Sequence, residues 1–71
     1  MAVEWQPVQS SNLERVGFDD ESGDVLVEFK NGSVYSYSGQ GESVFQDLTT
    51  SSSPGAYVAR HLRNAAHRRV S

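Results

Sequence analysis

The stretch VLVEFKNGSVYSYS, Val25 to Ser38, constrains the fold of this chain more than any other part of it. Two runs of alternating apolar and polar residues flank Asn31-Gly32, the strongest short-range signal for a β-hairpin. Its tyrosines, Tyr35 and Tyr37, stand two apart, so both rings fall on one side of a strand. They are either filling for a core or an exposed platform. The loop length decides between these, because a slip of one residue moves every side chain to the other face.

A two-residue loop, Asn31-Gly32, would set Phe29 opposite Val34 and place both tyrosines with Leu26, Glu28 and Lys30. A three-residue loop, Lys30-Asn31-Gly32, with Gly32 in the left-handed position of a bulge, sets Val27 opposite Tyr35 and Val25 opposite Tyr37. One face then gathers Val16, Phe18, Val25, Val27, Phe29, Tyr35 and Tyr37. The other holds Leu26, Glu28, Lys30, Val34, Ser36 and Ser38, and is far more polar. The second register segregates better and is the one expected, with both rings in the core.

Around this hairpin the remaining elements follow from local pattern. LERVGFD, Leu13 to Asp19, alternates as a strand, and the turn formers of DESGD join it to Val25–Lys30, giving an antiparallel meander. In ESVFQDL, Val44, Phe45 and Leu48 fall at helical spacing, which predicts a short helix from Glu42 to Thr49. Ser53 suits a helix N-cap and Pro54 the first helical position, so a final helix is expected through GAYVARHLRNAAHRR. Val58, Leu62, Ala65 and Ala66 form its apolar stripe. The expected architecture is α+β: a three-stranded antiparallel meander followed by two helices packed on one face (β-β-β-α-α). Residues 1–9 read as an N-terminal extension and residues 10–69 as a single domain.

The chain has 71 residues, and a domain of this size buries only about 60% of its unfolded surface. It contains no cysteine, so neither disulfides nor a Cys-based zinc site can support the small core. Tight packing or self-association must do so. Glu4 and the lack of an apolar run argue against a signal peptide at the N-terminus. Nothing approaches the roughly 20 apolar residues of a membrane span. A cytoplasmic protein without membrane contact is expected.

Catalysis finds no candidate residues. His61 and His67 lie six apart with no carboxylate between them, which does not make a metal site. The serines lack any nucleophile setting, and Asp19, Asp20, Glu21 and Asp24 lack calcium-loop spacing. No glycine-rich phosphate loop follows a strand. No enzyme activity, metal or cofactor is therefore expected.

Charge is distributed unevenly. All nine acids lie before Leu48, whereas the segment from Leu48 onward carries four arginines and no acid. On a continuous helix Arg60, Arg63 and His67 would sit opposite the apolar stripe, extended by Arg68 and Arg69. Such a face could neutralise phosphates and stack on bases, with Asn64 nearby for base contact. The plainer alternative is a solvated helix face beside an acidic sheet.

Taken together, three segments make the chain resemble the KTSC domain, a short module found at the C-terminus of some lysyl-tRNA synthetases and alone in small bacterial proteins. PVQSSNLERVGFD is similar to the family's opening, with paired serines, an aliphatic residue and then Gly-aromatic-Asp. LVEFKNGSVYSYSG carries its Val-x-Phe, turn glycine and Tyr-x-Tyr. SPGAYVARHLR carries its Ser-x-Gly followed by an aromatic, a basic residue and an aliphatic-Arg pair. Where the family often has Val-Pro after the tyrosines, this chain has Gln40-Gly41. The motif residues Gly32, Tyr35, Tyr37, Ser53, Gly55 and Tyr57 are read as structural. The family's place on a synthetase implies RNA binding. The expectation is a small module that binds RNA or a nucleotide-containing ligand through a basic C-terminal helix. The alternative is a protein–protein or homo-oligomerisation module without a nucleic-acid role.

Overall fold

The computed structural model describes residues 3–71. The elements run β1 (Val3–Pro7), β2 (Leu13–Asp19), β3 (Asp24–Phe29), β4 (Val34–Tyr37), α1 (Glu42–Thr50), α2 (Pro54–Tyr57) and β5 (His67–Arg69). A π-helical stretch, Val58–Leu62, continues α2 without a break. The strands form one antiparallel sheet in the order β1-β2-β3-β4-β5.

The hairpin adopts the three-residue loop. Phe29 N–H donates to Ser33 C=O at 2.8 Å, and Gly32 takes φ +94°. Val25 pairs with Tyr37 and Val27 with Tyr35, the register that hydrophobic segregation favours. In β2 a bulge between Leu13 and Arg15 lets Leu13 and Val16, three apart in sequence, both face inward. Leu13, Val16, Val25, Val27 and Leu48 are fully buried, and Phe45 of α1 stacks on Phe18 at 5.7 Å. This inner face of the sheet, packed against α1, Val58 and Leu62, is the core.

Two helices do pack on an antiparallel sheet, but the sheet has five strands rather than three. The stretch before Ser10, read from sequence as an extension, supplies β1. Its Trp5 pairs with Gly17 on the outer face, and a Cβ on Gly17 would lie 2.8 Å from Val3 Cγ1 and 3.0 Å from Trp5 Cε3. Trp5 thus occupies the space that the glycine leaves. Arg15 lies 4.0 Å over the indole and ion-pairs with Glu28.

The final helix is also shorter than expected. It stops at Leu62, and Ala65 N–H turns back to Leu62 C=O. The chain then runs along β4, with Ser38 N–H donating to Ala66 C=O and Val70 N–H to Val34 C=O. Beyond Leu62 the helical pattern offered only alanines to bury. Pairing with β4 instead satisfies backbone groups that would otherwise form an open edge.

Ser53 stands at the N-cap position, yet its hydroxyl makes no capping bond. Only its carbonyl engages the helix, accepting from Tyr57 N–H at 3.0 Å. α1 begins after Gly41, whose φ of +85° excludes most other residues and whose N–H donates to Gly23 C=O. Among the described residues no helix is long and apolar enough to cross a membrane.

Candidate functional site

α1 lies over β2 and β3, leaving the inner side of β4 and β5 partly uncovered. There an open groove of about 380 Å³ is lined by Phe29, Asn31, Ser33, Tyr35, Tyr37 and His67. Its shape follows from the hairpin register. The pairs Val25–Tyr37 and Val27–Tyr35 turn both tyrosines inward, and the pairs Tyr35–Arg69 and Tyr37–His67 bring two β5 side chains to the same face.

Tyr35 is the central ring of this groove. Phe29 meets it edge-on at 5.8 Å and His67 lies at 5.9 Å. His67 also covers Tyr37, with centroids 5.2 Å apart. The imidazole is held by a 2.8 Å contact between Nδ1 and Ala65 C=O. A carbonyl only accepts, so Nδ1 carries a proton and donates it there, and Nε2 has no partner among the described residues. At the other end Asn31 Oδ1 accepts from both the N–H and the hydroxyl of Ser33, at 2.9 and 2.7 Å. This leaves the Asn31 amide nitrogen without a partner among the described residues.

Tyr37 is only 6% exposed, and burial raises its phenol pKa, with the neighbouring Tyr35 adding to the shift. Neither tyrosine hydroxyl makes a hydrogen bond among the described residues, yet no buried side-chain polar atom there lacks a partner. The small exposed remainder of Tyr37 therefore includes its hydroxyl. On the question of core or platform, Tyr37 is core with a wet tip, and half-buried Tyr35 is the groove floor.

The basic residues do not form one helix face. Arg60 is exposed on the π-helical stretch, and Arg63 and Asn64 follow it in the exposed turn. His67 and Arg69 lie on β5 beside the tyrosines, whereas Arg68 points to the opposite face of the sheet, across from Ser36. Helical periodicity fails here because the helix has already ended. Arg60 instead borders a separate depression with Tyr57, His61 and Ser51 to Ser53. Tyr57 stacks on His61 at 4.4 Å and donates its hydroxyl to Asp47 Oδ2 at 3.1 Å. Its phenol pKa is raised by burial and then by that carboxylate.

The Ser-x-Gly motif has a packing explanation. A Cβ on Gly55 would lie 3.3 Å from Ser10 Oγ, the same oxygen that accepts from Asn12 N–H and Leu13 N–H. The paired-serine loop and the start of α2 are thus fitted to each other. Phe29, Asn31 and Ser33 were not singled out as site residues from sequence, although the hairpin register already places Phe29 and Ser33 on the tyrosine face. The part played by His67 and Arg69 in the groove had no such signal. Among the described residues no group of three or more His, Asp or Glu comes together as a metal site.

The fold thus defines a small α+β domain, an antiparallel sheet with helices on one side and an aromatic groove at the sheet's C-terminal edge. The KTSC domain pattern matches residues 9–65, and the chain belongs to that family. A protein of Tsukamurella paurometabola is 36% identical over 53 residues, covering 75% of this chain and 79% of that one. The crystal structure of a KTSC domain protein from Yersinia pestis superposes with a TM-score of 0.87 at 25% identity, over 99% of this chain and 100% of that one.

Proposed function

We propose that this KTSC domain is a non-enzymatic module that binds RNA or a nucleotide-containing ligand in the cytoplasm, through the basic residues that follow Leu48. One observation carries the reading. The chain has nine acids, yet Arg15–Glu28 is the sole ion pair among the described residues. Arg60, Arg63, Arg68 and Arg69 are all exposed and none pairs with an Asp or Glu side chain there. A basic surface that merely balances an acidic sheet of the same molecule would pair with it. Unpaired arginines are instead suited to phosphate, which they grip through forked donors.

The test is titration of the protein with a mixed RNA pool at two salt concentrations. Affinity should fall steeply with salt, as counterions are released. Replacing Arg60, Arg63 and Arg69 by Ala should abolish binding while the fold persists, and each single change should lower the salt slope by about one. A dissociation constant weaker than about 10⁻⁴ M at low salt would overturn the reading.

A second reading, a protein–protein or homo-oligomerisation module, rests on a different observation. β5 is a short edge strand, and the adjoining Val70, 44% exposed, is the one exposed large hydrophobic residue among those described. Sedimentation distinguishes the two, since a 7.8 kDa monomer at high concentration counts against self-association.

A further inference from the structure

We infer that the β4–β5 groove is a seat for one unpaired nucleobase, with Arg69 holding the attached phosphate. This rests on the nucleic-acid reading above and specifies how the ligand is gripped. A base entering between Phe29 and His67 lies against Tyr35, whose ring is within 6 Å of both, at 5.8 and 5.9 Å. Every base has a π face, so stacking accepts any of them.

The polar groups around the rings fit the edge of a base. The hydroxyls of Tyr35 and Tyr37 and the amide nitrogen of Asn31 supply donors that no described residue uses. His67 Nε2, which no described residue engages, adds a further polar atom, Nδ1 being committed to Ala65. Every base carries at least two acceptors around its rim, so these donors can be served without selecting one base. No carboxylate lines the groove to repel a nucleotide.

Arg69 is the cross-strand neighbour of Tyr35, and opposed residues have Cβ atoms about 5 Å apart. Only its Nε is engaged, donating to Ser71 C=O at 2.9 Å, which leaves the terminal nitrogens for phosphate. Arg68, on the other face of the sheet, has no part in this grip.

The experiment compares a short single-stranded RNA with an abasic strand of the same length and charge, at two salt concentrations. Wild-type protein should bind the intact strand about five- to a hundredfold more tightly than the abasic one. That ratio should hold at both salts while both affinities fall, since stacking releases no counterions. It should collapse toward one in Tyr35→Ala and in His67→Ala. His67 is exposed, so the second variant stays informative if the first unfolds. Equal binding of the two strands by wild-type protein would overturn the groove assignment and leave the arginine reading intact. A preference that survives both substitutions would overturn it too, because the base would then sit elsewhere. If neither strand binds, both readings fall and a protein partner becomes the occupant to seek.

Discussion

At the scale of single residues, Gly17 has no room for a side chain, and the reason lies in a strand far from it in sequence. Trp5 and Val3 lie where its Cβ would be, and Arg15, paired with Glu28, lies over the same indole. Gly17→Ala should therefore overpack the β1–β2 pair and cost about 1–3 kcal/mol. Chemical denaturation followed by Trp5 fluorescence would read both the loss and any lifting of β1. Tyr37 makes a different prediction. Its folded phenol pKa lies above the ordinary tyrosine value of 10.0, mainly because of burial, so the unfolded chain loses this proton first as pH rises. Stability from this group is fully present below pH 10 and drains away as pH climbs through the folded pKa. Melting curves across that alkaline range should fall less steeply in Tyr37→Phe than in wild type, and an identical slope would contradict the assignment. Ser53 shows the limit of residue-level inference. Its type and position are those of an N-cap, but the side chain makes no such bond, and Ser53→Ala should change stability by no more than about 0.5 kcal/mol.

At the scale of elements, the hairpin and the C-terminal strand differ in how far local pattern reaches. The hairpin was legible because its apolar residues choose one register, and the same choice placed Tyr35 and Tyr37 on the inner face. α1 was legible from the spacing of Val44, Phe45 and Leu48. β5 was not, because HRR carries no apolar alternation and all three of its residues are exposed. It exists because β4 has an edge to fill. Val70→Pro tests this directly, by removing the N–H that donates to Val34 C=O at 2.8 Å. The loss should be about 0.5–1.5 kcal/mol for the one bond. The Val34 amide, which donates to Ser71 C=O, should exchange faster with solvent. Since β5 also carries His67 and Arg69, the same substitution should loosen the groove without touching its other walls.

At the scale of the whole molecule, charge separates along the chain, and among the described residues it closes into the single internal pair Arg15–Glu28. Stability should accordingly change little between low and moderate sodium chloride, while nucleic-acid affinity falls steeply over the same range. Thermal melts and titrations on one preparation would show the contrast, and melting temperatures that track salt as strongly as binding would contradict it. What the sequence determined by itself is the α+β class, the hairpin and its register, the first helix and the existence of a basic C-terminal segment. Each depends on residues close in the chain, through alternation, turn chemistry or helical spacing. The number of strands, the end of the last helix and the assembly of the groove were decided only in three dimensions. β1 and β5 add to the edges of a meander already formed, and the groove joins a hairpin to a strand some thirty residues later. Such pairings answer to unsatisfied backbone edges and exposed rings, and neither VEWQP nor HRRVS carries enough local pattern to fix them.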